Sequence, residues 1–98
     1  MDSHEAYKEL RNALKEKYKK VTDVMAEEFP TYTEDDLFDR FFAVCRGGHD
    51  GVKEVRIEDG KVILTYAEGV EVDFDELKKE YAELKGFSDE NATEAGLI

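Results

Sequence analysis

The sequence predicts an α+β domain in which two helices, a three-stranded antiparallel β-meander and a further helix follow one another along the chain. Apolar residues recur at spacings of three and four up to about residue 46, at every second position in residues 53–73, and again at helical spacing from Phe74. The first spacing keeps apolar side chains on one face of a helix, and the second keeps them on one face of a strand. The pair Asp59-Gly60, a strong hairpin signal, lies inside the alternating stretch. Because so small a sheet is not stable alone, we expect the helices to pack on one of its faces.

Length and composition indicate one domain that spans residues 1–98. The chain has 98 residues, of which 41% are hydrophobic and 40% are charged. This length fits one compact unit, and the apolar fraction is large enough for one core beneath a strongly charged surface. Intrinsic disorder is a poor interpretation, since six Phe and five Tyr accompany regularly spaced Leu and Val.

The first helix is predicted over residues 3–29. Its apolar residues form one stripe with spacings of three and four, consisting of Tyr7, Leu10, Leu14, Tyr18, Val21, Val24, Met25 and Phe29. Asp2 or Ser3 can cap the start of the helix, and Pro30 ends it.

The second helix is predicted from a capping Thr33 to about Arg46, with Gly47-Gly48 ending it because glycine reaches the left-handed conformation without steric cost. Carboxylates at residues 34–36 suit the positive end of the helix dipole. Its apolar residues, which cover more than one core stripe, are Leu37, Phe38, Phe41, Phe42, Val44 and Cys45.

The meander can be assigned a register because a shift of one residue would send every side chain to the other face. The Asp59-Gly60 turn pairs Ile57 with Val62 and Val55 with Leu64, which places these apolar side chains on one face. A three-residue loop, Ala67-Glu68-Gly69, would then pair Tyr66 with Val70 and Leu64 with Val72, with Gly69 in a left-handed bulge.

The third helix is predicted to begin after a capping Asp73 and to end at Gly86. Its apolar positions are Phe74, Leu77, Tyr81 and Leu84. Residues 88–98 are predicted to form either a short final helix or a frayed acidic tail.

The charge of the chain limits its partners and its location. A net charge of −11 argues against direct binding to nucleic acid or to anionic membranes. Residues 1–30 contribute only −1, so the rest of the chain carries −10 and could dock against the first helix. The apolar runs are too short to cross a bilayer, nothing resembles a secretion signal, and the single cysteine forms no internal disulfide, so we expect a cytoplasmic protein.

Candidate chemistry is sparse, and we predict no catalytic residue, metal site or cofactor. Cys45 and His49 lie four residues apart, as a thiol and its activating imidazole could. However, the negative end of a helix raises a thiol pKa, so a buried structural cysteine is the favoured interpretation over a nucleophile or a metal ligand. The glycine-rich loop at residues 47–51 lacks the lysine and the following helix of a phosphate-binding loop.

The function predicted from these residues is a small, acidic, non-enzymatic protein-interaction module or regulator that binds another protein or a second copy of itself. The excess apolar width of the second helix would leave some of its phenylalanines exposed on a monomer or buried in a homodimer. Burial in the core is nevertheless the favoured interpretation of Tyr32, Phe38, Phe41 and Phe42, because a small domain uses most of its aromatic residues there. The predicted partner-binding residues are Tyr32, Phe38, Phe42, Asp35 and Asp39.

Two other classes of function remain open. The first is an acidic mimic of nucleic acid that inhibits a nucleic-acid-binding protein. Its candidate surface charges are Glu54, Glu58, Glu71, Asp35 and Asp39. The second is a small thiol enzyme that uses Cys45 and His49, or a domain that binds a ligand between the sheet and the helices.

Overall fold

A computed structural model describes the backbone of residues 3–94 and the side chains of residues 4–88. It confirms the α+β class, with helices packed against one face of an antiparallel three-stranded sheet. The elements in chain order are α1 (Ser3–Lys17), α2 (Lys19–Glu28), α3 (Glu34–Phe42), a 3-10 helix (Ala43–Arg46), β1 (Glu54–Glu58), β2 (Lys61–Ala67), β3 (Val70–Asp73) and α4 (Phe74–Glu94).

The first hairpin has the predicted register, with Ile57 paired with Val62 and Val55 with Leu64. Its turn residues have positive φ angles, 52° at Asp59 and 77° at Gly60. Positive φ at both central residues is the requirement of a type I′ turn, whose twist matches that of the strands. The Asp59-Gly60 sequence therefore determined this hairpin locally.

The second hairpin confirms part of the prediction and corrects the rest. Leu64 pairs with Val72 as predicted, and Gly69 has a positive φ of 76°. However, Val70 pairs with Ala67 and not with Tyr66, and the ladder shifts between Thr65 and Ala67. The loop therefore has two residues, Glu68 and Gly69, and the third residue that was predicted for the loop is instead accommodated as a bulge at Tyr66 within β2. Like the predicted three-residue loop, this bulge keeps Leu64 and Val72 on the core face.

The first predicted helix is broken into α1 and α2, so the prediction of one continuous helix over residues 3–29 is wrong. The break lies at Tyr18, whose φ and ψ of −103° and 19° are not helical. The buried stripe continues across it through Leu14, Tyr18, Val21 and Met25. The break lets α1 pack against α4 while α2 packs against α3 and β2.

The second predicted helix begins with the expected cap. The Asp36 backbone N–H donates to the Thr33 hydroxyl oxygen at 3.1 Å, and the Thr33 N–H donates to the Asp36 carboxylate at 3.3 Å, which together form a capping box. The helix tightens into the 3-10 segment after Phe42 and ends at Gly47, whose φ of 95° is left-handed as predicted.

The last helix is longer than predicted. Asp73 caps α4 by accepting hydrogen bonds from the backbone N–H groups of Asp75 and Glu76, at 3.0 and 3.2 Å. The helix does not end at Gly86 but continues to Glu94, so most of the predicted separate helix or tail at residues 88–98 is part of α4. The last four residues of that segment lie outside the described residues.

One core joins the helices to the sheet. It contains Leu64, Tyr66 and Val72 from the strands, and α2 and α4 both pack against β2 and β3. Its other fully buried apolar members are Leu14, Tyr18, Val21, Met25, Leu37, Phe38, Phe41, Phe42, Leu77 and Leu84. No helix in the described part of the chain has the length and apolar character needed to span a membrane.

Candidate interaction surface

The phenylalanines predicted to bind a partner belong to the core. Phe38 and Phe42 are only 1% and 5% exposed, and Phe41 is fully buried. The Phe38 and Phe42 rings meet edge to face with centroids 4.5 Å apart, and Phe42 stacks on Tyr81 of α4. The expectation that α3 leaves phenylalanine side chains exposed is therefore wrong, because α1 and α4 cover the additional apolar width.

Asp35 and Asp39 lie on the surface but are paired within the chain. The Lys15 ammonium is 2.6 Å from the Asp35 carboxylate, and the Arg11 guanidinium is 3.0 Å from the Asp39 carboxylate. The hydrogen bond from Lys15 lowers the pKa of the Asp35 carboxyl group. Basic residues of α1 thus meet acidic residues of α3, as the charge difference along the sequence suggested. Such exposed pairs stabilise the fold by about 0–1 kcal/mol each.

Tyr32 belongs to a cluster that connects two loops. Arg40 Nη2 donates to the Tyr32 hydroxyl oxygen at 2.7 Å, and Nη1 donates to the Asp50 carboxylate at 2.8 Å. The guanidinium also lies 4.3 Å from the centroid of the Tyr32 ring, which stacks on Phe29. Arg40 therefore holds the loop after α2 against the loop before β1, and this structural role accounts for Tyr32.

Two apolar side chains that sequence reasoning assigned to the core are exposed. Among the described residues, the exposed large hydrophobic side chains are Val55 and Ile57, at 59% and 76%. They lie on the same face of the sheet as Leu64 and Val62, but β1 projects beyond the layer that α2 and α4 form. The alternation along β1 correctly indicated their face and could not indicate how far the helices extend.

The backbone of β1 offers hydrogen bonds at the same two residues. β1 is an edge strand with β2 on one side. The turn hydrogen bond joins Glu58 to Lys61, and hydrogen-bonded and non-hydrogen-bonded pairs alternate from there. Val55 and Ile57 therefore fall in non-hydrogen-bonded pairs. Their N–H and C=O groups point away from β2 toward the open edge.

The other face of β1 is polar and partly fixed. Arg56 donates to Glu58 and to the Thr65 hydroxyl oxygen, both at 3.1 Å, and forms an ion pair with Glu71 of β3. The hydrogen bond from Arg56 lowers the pKa of the Glu71 carboxyl group. Glu54 forms no ion pair with any side chain of residues 4–88.

The acidic residues proposed as a nucleic-acid mimic are mostly neutralised within the chain. Four of the five candidates form ion pairs with Arg11, Lys15 or Arg56, and Glu54 is the exception. Charges held by bases of the same chain present a weaker field to a basic partner. This pairing does not favour the mimic hypothesis.

Cys45 lacks the environment of a reactive thiol. The side chain is half-buried, and burial raises the pKa of the thiol to about 11, although Lys78 and Arg46 act in the opposite direction. Such a thiol carries almost no thiolate at neutral pH, which disfavours nucleophilic catalysis. Within residues 4–88, no group of three His, Cys, Asp or Glu side chains is placed to hold a metal ion.

Comparison with known proteins adds no functional assignment. No protein-family model matches the chain, and no curated protein or solved structure is significantly similar to it. The exposed edge of the sheet is therefore the feature of the molecule that bears most directly on its function.

Proposed function

We propose that the protein is a non-enzymatic interaction module that binds an extended segment of another protein as a fourth strand beside β1. The observation that carries this proposal is the coincidence of two features at Val55 and Ile57. Both side chains are mostly exposed, and both backbones direct their hydrogen-bonding groups to the open edge. Addition of a strand uses these two features together, since the backbone supplies affinity and alternate side chains supply specificity.

The chemistry of β1 defines the segment that it would bind. Side chains opposite Val55 and Ile57 would lie over the uncovered part of the sheet, so they should be apolar. Side chains opposite Glu54 and Glu58 would lie on the other face of the sheet, so basic residues fit at these two positions. The residue opposite Arg56 should be uncharged or acidic, because like charges directly opposite one another destabilise paired strands. The charge of −10 on residues 31–98 would also attract basic residues. The partner segment should therefore carry two apolar residues at alternate positions and a basic residue on either side of them, over about five positions.

A second copy of this chain fits the edge less well in the antiparallel register that pairs all five residues of β1. If Val55 and Ile57 of one copy exchanged hydrogen bonds with Ile57 and Val55 of another, each Arg56 would face Arg56 of the second copy. Glu54 would face Glu58 in the same way. Like charges directly opposite one another destabilise paired strands. Each copy also carries a net charge of −11, which opposes self-association.

Two further parts of the proposal concern activity and location. The absence of enzymatic activity is supported by the raised pKa of the Cys45 thiol, which disfavours the thiolate that a cysteine nucleophile needs. A cytoplasmic location is supported by the single cysteine of the chain.

A peptide library tests the proposal. We expect selection on the wild-type protein to enrich peptides in which two apolar residues at alternate positions are flanked by basic residues, and these peptides should lose at least tenfold in affinity for Ile57→Lys. The substitution places a cation against the apolar and basic segment. Ala82→Lys is the matched control, because it adds the same charge at an exposed position of α4 and should leave affinity unchanged.

Backbone methylation of a selected peptide tests the mode of binding. An N-methyl group on an amide that donates to β1 should abolish binding, whereas the same group one residue along should be tolerated, because alternate amides point away from β1. Equal binding by Ile57→Lys and the wild type, equal tolerance at both positions, or no enriched peptides would each overturn the proposal.

A further inference from the structure

A groove of about 360 Å³ lies where α1, α3, the 3-10 helix and α4 meet, on the helical side of the molecule. Its apolar surface includes the stacked rings of Phe42 and Tyr81, whose centroids are 6.2 Å apart. Arg11, Arg46 and Lys85 also line it, together with Asp39. The groove therefore combines aromatic surface with several cations.

The charges of the groove do not balance. Arg11 is neutralised by Asp39, at 3.0 Å, and its guanidinium also lies 4.8 Å from the centroid of the Phe38 ring. Arg46 and Lys85 form no ion pair with any carboxylate among the described side chains. Two cations with no ion-pair partner among residues 4–88 thus share a groove in a chain whose net charge is −11. Elsewhere on this surface, acidic partners were abundant enough to pair most such bases.

We propose that this groove binds a small aromatic carboxylate. The aromatic body of the ligand would pack on the partly exposed rings of Tyr7 and Tyr81, with the buried Phe42 beneath them, and its carboxylate would accept hydrogen bonds from Arg46 and Lys85. A planar guanidinium binds a carboxylate in a defined orientation, and the ammonium adds a mobile second donor.

The dimensions of the groove limit the ligand. Sites for small molecules are commonly about 300–1,000 Å³ and combine apolar lining with a few polar groups that fix orientation. A volume of about 360 Å³ is near the lower end of that range. It suits a ligand with one or two fused aromatic rings and a short acidic side chain. The groove is separate from β1, so this inference does not depend on the proposed strand addition.

The test uses 1-naphthaleneacetate as the probe and 1-naphthaleneacetamide as its neutral equivalent. Each is titrated into the ¹⁵N-labelled full chain while amide chemical shifts are followed by NMR. We expect the acetate to give saturable shifts concentrated near residues 42–46 and 81–85. The acetamide should bind about fivefold or more weakly, since it lacks the charge that Arg46 and Lys85 recognise.

Matched variants separate charge recognition at the groove from general electrostatic attraction. Arg46→Gln and Lys85→Gln should each weaken acetate binding about threefold, as expected for partly exposed ion pairs. Both residues are exposed and without a described ion-pair partner, so the variants should fold. Lys79→Gln removes an equal charge elsewhere on α4 and should leave the affinity unchanged.

Three results would overturn the proposal. These are equal affinity for the acetate and the acetamide, shifts centred on β1 and not on the groove, and no saturable binding at a few millimolar probe. Ile57→Lys, which disrupts the proposed strand-addition site, should bind the acetate normally. Failure at one site is thereby distinguished from failure at the other.

Discussion

Tyr66 carries a buried hydroxyl group that has no hydrogen-bond partner among the described residues. The residue is only 1% exposed, and burial raises the pKa of its hydroxyl group. Leaving a buried polar group without a partner costs about 1–3 kcal/mol, because the group has lost water and gained nothing. The ring itself packs edge to face against Phe41 and belongs to the core. The hydroxyl oxygen, and not the ring, is therefore the destabilising part of this side chain.

We expect Tyr66→Phe to raise the free energy of unfolding by about 1 kcal/mol, because it removes the unsatisfied oxygen and keeps the ring. Urea denaturation measures the change. Tyr18→Phe is the matched control. The Tyr18 hydroxyl donates to Glu80 of α4, so this variant should lose about 1 kcal/mol. A loss of stability in Tyr66→Phe as large as that in Tyr18→Phe would show that the Tyr66 hydroxyl has a partner.

Gly86 shows at the scale of a helix how a local signal can be overridden. Glycine is the usual residue just beyond a helix end, yet α4 passes through Gly86 with ordinary helical geometry. Apart from the adjoining residues and the backbone of α4 itself, no described atom lies within 4 Å of the position that a β-carbon at Gly86 would occupy. The helix is anchored just before this residue, where Leu84 is buried in the core, and α4 packs along α1.

We expect Gly86→Ala to stabilise the protein by about 0.5–1 kcal/mol, because alanine loses less backbone entropy than glycine in a helix and meets no steric obstacle here. Thermal unfolding followed by circular dichroism measures the gain. Gly69→Ala provides the contrast. That glycine also has open space around it, but its φ of 76° strains any residue with a β-carbon, so the variant should be destabilised. If Gly86→Ala destabilised the chain, the helix would end near residue 86 as the sequence alone predicted.

The elements that sequence reasoning predicted correctly are those determined by neighbouring residues. Asp59-Gly60 specified its turn, and Thr33 specified a capping box with Asp36. The alternation of apolar and polar side chains along the strands specified the pairing of Leu64 with Val72. The break at Tyr18 had no such signal, because neither proline nor glycine lies there. At this break the chain makes contacts with residues far away in the sequence, since Lys17 and Tyr18 both donate hydrogen bonds to Glu80 of α4.

The distribution of charge over the whole molecule matches the asymmetry of the sequence. Bases of α1 form ion pairs with acids of α3 and α4, through Arg11, Lys15 and Lys17. The hydrogen bonds that Lys17 donates to Glu76 and Glu80 raise the pKa of the Lys17 ammonium, because the pairing favours its charged form. The bases of α1 thus neutralise some of the acidic side chains of α3 and α4.

The candidate site could not be predicted from sequence because it depends on how the helical layer is placed over the sheet. Periodicity gives the face on which a side chain lies and carries no information about which strands a helix will cover. Val55 and Leu64 are cross-strand partners on the same face, yet Leu64 is 3% exposed and Val55 is 59% exposed. For the same reason the apolar width of α3 indicated an exposed surface, when α1 and α4 in fact cover Phe38 and Phe42.

Because the helices cover β2 and leave β1 exposed, substitutions of apolar residues in the two strands should differ in their cost to the free energy of unfolding. Leu64→Ala should lower the free energy of unfolding by about 2–5 kcal/mol, because it leaves a cavity beneath α2 and α4. Val55→Lys and Ile57→Lys should each cost less than about 1 kcal/mol, because these side chains already lie in water in the free protein. Urea denaturation of the three variants measures the contrast. A cost for Ile57→Lys close to that of Leu64→Ala would mean that β1 is covered in solution, by its own chain or by a second copy. A small cost would leave two apolar residues on an open strand edge that contribute little to folding, which is the property expected of a surface that binds another protein.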